Sequence, residues 1–122
     1  GDKNLPDIGT YVFITGGEKD VMTLASHGFS AICFNSETAK IPEETLTKLS
    51  LQFMYTILLY DADETGKRES LARQEEMKGS FNLYRLVLPL SGEKKEKDIS
   101  DFFLLGHTEL EFRELVQKCI TK

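Results

Sequence analysis

Short apolar runs recur along the chain, and polar segments with helical periodicity separate them. The runs are rich in β-branched and aromatic residues, and glycine, proline or acidic residues bound them, which is typical of buried strands. The run at 55–60, YTILLY, shows this pattern most strongly and stops abruptly at Asp61. We therefore predict four strands, at 11–15, 30–34, 55–60 and 81–88.

The segments between the runs have the apolar spacing of helices. In the charged segment 64–78, Leu71 and Met77 are expected to face the core. Thr108 and Glu111 have the spacing of a capping box, which marks the start of a last helix. Helices are therefore predicted at 18–27, 42–49, 64–78, 98–105 and from residue 108 onwards.

Strands that alternate with helices predict an α/β fold, a four-stranded and mostly parallel sheet with helices on both faces. In such a sheet, ligands bind beside the carboxyl ends of the strands. Glycine and acidic residues follow three of the predicted strands, namely Gly16, Gly17, Glu37, Asp61 and Asp63. We therefore expect these residues to share one edge of the sheet and to form the functional site there.

The length of 122 residues fits one compact domain. We expect an irregular lead-in at residues 1–10 and a single domain at 11–122. Because the chain begins at Gly1 rather than at methionine, we expect a domain excised from a longer protein. No apolar run approaches the roughly 20 residues that span a bilayer, so no membrane partner is expected.

Charge and cysteine content narrow the function further. The formal net charge is -5, so the domain as a whole does not offer nucleic acid a basic surface. If the protein acts on nucleic acid, metal ions must neutralise its acidic site or neighbouring domains must supply the basic surface. Cys33 and Cys119 lie far apart without CxxC spacing, which is typical of buried thiols in a cytoplasmic protein.

The acidic pair Asp61 and Asp63 is the strongest candidate for chemistry. Two carboxylates so close repel each other, and Mg²⁺ takes oxygen ligands and usually couples one or two carboxylates to substrate phosphates. The alternative is that Asp61 ends the strand while Asp63 caps the next helix. The convergence of acidic residues from three strand ends favours a divalent-metal site.

Three segments together resemble the Toprim domain, which bacterial-type primases, type IA and type II topoisomerases and some nucleases share. They are YVFITGGEKDVMTLASHG at 11–28, YTILLYDADETG at 55–66 and KDISDFF at 97–103. The words GEKD, DADETG and KDISD are most similar to those of primases from phage primase–helicases and mobile elements. The resemblance implies a Toprim (Rossmann-like) fold, and it covers most of the chain.

The resemblance also implies roles for individual residues. Asp61, Asp63 and Asp20 correspond to acidic residues that hold Mg²⁺, with Mn²⁺ as the other expected cation. Gly17 corresponds to the glycine that lets the backbone turn tightly. The candidate nucleotide-binding residues are Gly16, Gly17, Lys19, Asp98 and Asp101.

The sequence departs from the family at Gly16, where the family usually has a glutamate that serves as metal ligand or general acid/base. Glycine has no carboxylate, so this catalytic role is absent or falls to a neighbour. The candidates for it are Glu18 and Glu37. Glu18 also suits the first turn of a helix because of the helix dipole, and Glu37 also suits an ordinary polar loop.

For the whole molecule, the resemblance implies the Toprim domain of a DNA primase-like protein that performs Mg²⁺-dependent nucleotidyl transfer in primer synthesis for DNA replication. The domain would bind metal and the incoming nucleoside triphosphate. The DNA template is expected on neighbouring domains of the parent protein, with a helicase as a further partner. The isolated chain is therefore expected to be inactive in priming.

Two other functions stay open. One is a degenerate, non-catalytic Toprim module that binds nucleotide or a protein partner. The other is a haloacid-dehalogenase-type phosphatase, because Asp61, Asp63 and Thr65 match its DxDxT motif. Asp61 would then be the nucleophile, although that motif normally follows the first strand of the domain and here follows the third predicted one.

Overall fold

Helices and strands alternate along most of the chain in the computed structural model, as the apolar pattern predicts. The structure describes residues 9–33, 41–79, 81, 83–93 and 95–120. The elements are β1 (Gly9–Thr15), α1 (Glu18–Ser26), β2 (Ser30–Cys33), α2 (Glu43–Gln52), β3 (Phe53–Leu59), α3 (Glu64–Glu76), β4 (Leu83–Arg85), α4 (Ile99–Leu104) and α5 (Glu109–Ile120).

The strands of this described part form one four-stranded sheet in the order β2-β1-β3-β4, and every neighbouring pair is parallel. The longest ladder joins the two central strands, from Gly9 opposite Phe53 to Thr15 opposite Leu59. The chain therefore leaves β1 and β3 at the same edge of the sheet. The predicted α/β fold class is confirmed.

Successive side chains of the central strands enter two different cores. Phe13 of β1 belongs to a cluster that α1, α4 and α5 cover, whereas Val12 and Ile14 belong to a second cluster beneath α2. This alternation follows from the two-residue period of a strand. Helices consequently cover both faces, and the helices that follow β1 and β2 lie on opposite faces, which creates a topological switch beside β1.

The first core is built around aromatic rings. Phe29 and Phe112 pack against each other edge to face at 5.2 Å, and both contact the ring of Phe13. The α5 helix that supplies Phe112 begins with the predicted capping box. The backbone N–H of Thr108 donates to Glu111 at 2.7 Å, and the N–H of Glu111 donates back to Thr108 Oγ1 at 3.1 Å.

The fourth strand is shorter than predicted. It pairs with β3 only over Leu83–Arg85, after which the N–H of Leu86 still donates to the carbonyl of Leu58. Because β3 ends at Leu59, the following residues have no further length of strand to pair with. Leu86 and Leu88 instead turn into the first core, which accounts for their apolar character.

One prediction for α3 is wrong. Leu71 is 46% exposed, and the buried residues of this helix are Gly66, Ser70 and Arg73. These three recur at helical spacing, so they form the face against the sheet and Leu71 lies outside it. Met77, at the end of the helix, does pack against the second core.

None of the helices in the described part of the chain has the length and hydropathy that a membrane span requires.

The α2 helix offers a matched test of the second core. Leu46 is 1% exposed and Leu51 is 83% exposed. We expect Leu46→Ala to lower the free energy of unfolding by about 2–5 kcal/mol, because it leaves a cavity in a packed core. Leu51→Ala should change it by less than about 0.5 kcal/mol. Urea unfolding of both variants checks this, and equal losses would contradict the assigned face of α2.

Candidate metal centre

Three carboxylates converge beside the carboxyl ends of β1 and β3. One side-chain oxygen each of Asp20, Asp61 and Asp98 lies within 4.8 Å of the other two. Asp20 is buried, and the other two are partly buried. The three come from segments far apart in sequence, so the fold itself brings them together. We refer to them as the acidic cluster.

The first member lies in the opening turn of α1. The chain leaves β1 at Thr15, whose Oγ1 donates to the carbonyl of Gly17 at 3.0 Å, and Gly17 is the N-cap of α1. The backbone of Gly17 is extended, with φ -163°, and a Cβ there would meet no atom within 4 Å. Other residues could adopt this backbone, so the conformation of Gly17 does not by itself require glycine, and its expected role stays a prediction. The turn places Asp20 over the end of β1.

The second member follows β3, and close packing fixes its backbone. A Cβ added to Gly66 in the first turn of α3 would lie 2.0 Å from the carbonyl oxygen of Asp61. Only a glycine allows α3 to approach the Asp61 peptide this closely. The next residue, Ala62, is buried, and its N–H donates to the carbonyl of Lys97. The DxD turn is thus held from both sides.

The third member is the N-cap of α4. Asp98 Oδ1 accepts a hydrogen bond from the N–H of Asp101 at 2.8 Å. Asp101 in turn points its carboxylate back at the N–H groups of Lys97 and Asp98, at 3.1 and 3.5 Å. The two aspartates form a reciprocal capping box. The sequence indicates Asp98 as a candidate nucleotide-binding residue, and the structure places it among the candidate metal ligands.

Asp63 occupies a different position from the one expected. Its Oδ1 accepts the N–H of Gly66 at 2.8 Å as the N-cap of α3, and its Oδ2 lies 3.8 Å from Nζ of Lys97. Among the described residues, the acidic cluster comprises Asp20, Asp61 and Asp98 rather than the expected Asp20, Asp61 and Asp63. The role of Asp63 as a metal ligand stays a prediction.

The other candidate residues lie outside the acidic cluster or outside the described residues. Lys19 is exposed, and its Nζ lies 3.7 Å from Oδ2 of Asp98. Glu18 is exposed in the first turn of α1, where the helix dipole favours a negative charge. Gly16 is partly buried between β1 and the helix. Glu37 lies outside the described residues.

The negative potential of this edge reaches the neighbouring strand. Cys33 ends β2 and pairs in register with Thr15 of β1. Burial raises the pKa of the Cys33 thiol, and the charges of Glu18 and Asp20 raise it further. The thiol therefore stays protonated at neutral pH, which does not favour a nucleophilic role for Cys33.

The chemistry of the cluster fits a small divalent cation. Carboxylate oxygens are the ligands that Mg²⁺ and Mn²⁺ prefer, and Mg²⁺ keeps several waters beside one or two carboxylates and substrate phosphates. Three negative charges within a few ångströms repel one another, and a bound cation offsets this repulsion. The partial exposure of Asp61 and Asp98 leaves part of the cluster open to solvent.

The fold is similar to that of a Toprim-containing phage primase domain. The chain is similar to a primase-domain chain in the solved structure of bacteriophage T7 lagging-strand DNA polymerase interacting with primase domains of two gp4 subunits bound to an RNA/DNA hybrid and dTTP. The TM-score is 0.61 at 25% identity, over 93% of this chain. This chain spans 56% of the length of that one.

No protein-family model matches the chain, and no curated protein matches it by sequence. The resemblance therefore depends on the fold and on short motifs. The sequence prediction of a Toprim fold similar to that of phage primases is confirmed.

Gly66 provides a test of how the DxD turn is held. In a helix, alanine is more favourable than glycine by about 0.8–1.0 kcal/mol. We nevertheless expect Gly66→Ala to lower the free energy of unfolding by more than about 1 kcal/mol, because its Cβ would collide with backbone atoms of Asp61.

The matched control is Gly79→Ala, where a Cβ would meet no atom within 4 Å. Urea unfolding of both variants measures the effect. A stabilised Gly66→Ala protein would show that α3 does not approach Asp61 as closely as described.

Proposed function

We propose that this chain is the Toprim domain of a DNA primase-like protein. It binds Mg²⁺ or Mn²⁺ together with the incoming nucleoside triphosphate, and it serves nucleotidyl transfer in primer synthesis. The acidic cluster at the end of β1 and β3 is the observation that carries this proposal, because it joins a hard-cation donor set to the edge where α/β sheets bind ligands.

In this proposal Asp20, Asp61 and Asp98 hold the cation through their carboxylates. A cation held there would supply positive charge for the triphosphate and for the pyrophosphate leaving group. The residues of the chain orient the site: Gly66 and Lys97 fix the Asp61 turn, and the α4 cap directs Asp98. Lys19, exposed beside Asp98, can contact a phosphate oxygen of the nucleotide.

The proposed partners follow from the charge of the domain and from its similarity to a phage primase domain. A chain with a net charge of -5 is poorly suited to hold a template by itself. We propose that neighbouring domains of a longer parent protein, a helicase among them, bind the template. The similar structure contains a DNA polymerase that interacts with primase domains of two gp4 subunits, together with an RNA/DNA hybrid and dTTP. The thiols Cys33 and Cys119 suit the reducing cytoplasm in which we propose the protein works.

A second candidate function is a Toprim module that binds without catalysis, and Gly16 is the observation that favours it. The position at the end of β1 where the family usually has a glutamate carries no side chain. Glu18 is exposed and, among the described residues, lies outside the acidic cluster. The cluster therefore does not support the idea that Glu18 takes over the role of that glutamate. The DxDxT phosphatase has no comparable support, since the similar structure is a primase domain.

Cation binding tests the leading proposal directly. We expect isothermal titration calorimetry to show Mg²⁺ or Mn²⁺ binding to the wild-type chain, and we expect Asp61→Asn and Asp98→Asn each to weaken it by more than about tenfold, as for groups that hold a metal. Added cation should also raise the free energy of unfolding, by about 2.7 kcal/mol at 100 times the Kd.

The matched control is Glu114→Gln, which removes one exposed carboxylate of α5 and should leave cation affinity unchanged. Asp63→Asn tests whether Asp63 only caps α3 or also binds the cation. A loss of cation affinity equal to that of Asp61→Asn would show that Asp63 is a ligand. A wild-type chain that binds neither cation at millimolar concentration would contradict the leading proposal.

The variant Gly16→Glu tests whether the missing glutamate has cost the site its cation binding, which is the form of the second candidate that calorimetry can detect. If the wild-type site is competent, the added carboxylate strengthens Mn²⁺ binding that is already measurable, because ligand charge tunes cation affinity. If the module is degenerate, wild type binds negligibly and Gly16→Glu alone binds. We expect calorimetry on the folded proteins to show measurable Mn²⁺ binding by wild type and tighter binding by Gly16→Glu.

A further inference from the structure

Asp101 is a buried carboxylate beside the acidic cluster but outside it. Its side chain is 8% exposed, and its Oδ2 accepts the backbone N–H groups of Lys97 and Asp98. A carboxylate oriented by two backbone donors faces the chain rather than solvent. Its geometry is therefore that of a group that holds the backbone in place, and it differs from the nucleotide contact that the sequence suggests.

The backbone that Asp101 holds connects two members of the cluster. The N–H of Lys97 donates to Asp101 at 3.1 Å, and the carbonyl of the same residue accepts the N–H of Ala62. Ala62 directly follows Asp61, and Asp98 directly follows Lys97. One peptide segment thus fixes the separation of Asp61 and Asp98, and Asp101 anchors that segment from the α4 side.

The direction of the Asp98 side chain depends on the same residue. Asp98 Oδ1 is occupied by the N–H of Asp101, which leaves Oδ2 on the side of Lys19. The α4 helix itself is tied to α1 by Thr23 and Ser100, whose hydroxyl oxygens lie 2.6 Å apart. That contact sets the distance between the helices, whereas the capping box sets the rotation of Asp98 relative to them.

We propose that Asp101 is a positioning residue for the cation site: it orients Asp98 and fixes the distance between Asp98 and Asp61 without binding the cation. This inference rests on the proposed function. The structure supplies a reason for an Asp or Asn side chain at this place, since one of its oxygens accepts both backbone N–H groups, which an alkyl side chain cannot do.

The test compares Asp101→Ala and Asp101→Asn by Mn²⁺ calorimetry on the full chain. Asp101→Ala removes the acceptor, and we expect it to weaken Mn²⁺ binding by about 10–100-fold, as does the loss of outer-shell partners elsewhere. Asp101→Asn keeps an oxygen in the same place, so it should recover most of the lost affinity. A direct ligand would behave differently, because Asn lacks the charge as Ala does.

The chain provides a matched control for the loss of a helix cap. Glu111 forms an equivalent capping box with Thr108 at the start of α5, away from the acidic cluster. Glu111→Ala should lower stability as Asp101→Ala does, yet leave Mn²⁺ affinity at the wild-type value. Circular dichroism and thermal melting of the metal-free variants verify that each is folded.

Each outcome has a distinct meaning. The positioning role is overturned if Asp101→Asn binds Mn²⁺ as weakly as Asp101→Ala does, or if Asp101→Ala binds it as tightly as wild type. The metal site itself stands in both cases. A wild-type chain without Mn²⁺ binding overturns both the metal site and the positioning role. If Asp101→Ala does not fold, Asp101→Asn decides alone: near wild-type affinity supports positioning, and a loss equal to that of Asp98→Asn overturns it.

Discussion

The in-register parallel pairing of β1 and β3 is the constraint on which the rest of the structure depends. Because Thr15 and Leu59 lie opposite each other, both chains leave the sheet at one edge and must turn in adjacent space. One turn opens α1 with Asp20, and the other carries Asp61. Burial of Val12, Phe13 and Ile14 against two separate cores fixes the register, since a one-residue slip would exchange their faces.

Local pattern is sufficient for the class of fold and for one of the three cluster residues. The strands and helices follow from apolar periodicity, and Asp61 follows from the rule that ligands gather at the carboxyl ends of strands, whereas Asp20 is predicted only by the resemblance to Toprim domains. The capping box of Thr108 and Glu111 was equally readable, because it involves only residues three apart. Each of these features depends on contacts that are short in sequence or on a general property of parallel sheets.

The remaining features depend on how the folded elements pack, which hydropathy does not encode. Asp98 reaches the cluster because α4 packs on α1 through Thr23 and Ser100, which are 77 residues apart. Leu71 is exposed because Ser70 and Arg73 form the buried face of α3, and Arg73 is compensated there by Glu69 and Glu76. Hydropathy alone would place Leu71, rather than Arg73, on the buried face of the helix. The ion pairs that reverse this preference exist only in the folded helix.

The acidic edge also explains why a domain of this charge could work on a negatively charged substrate. Phosphate and carboxylate repel, so the same three aspartates that oppose a free triphosphate attract a cation that the triphosphate also needs. Lys19 lies 3.7 Å from a carboxylate oxygen of Asp98, so it balances part of the cluster's charge before a cation arrives, and Lys97 lies 3.8 Å from Asp63 beside the cluster. Under the proposed function, nucleotide binding and cation binding would therefore be coupled. An edge rich in arginine would bind phosphate alone and lose that dependence.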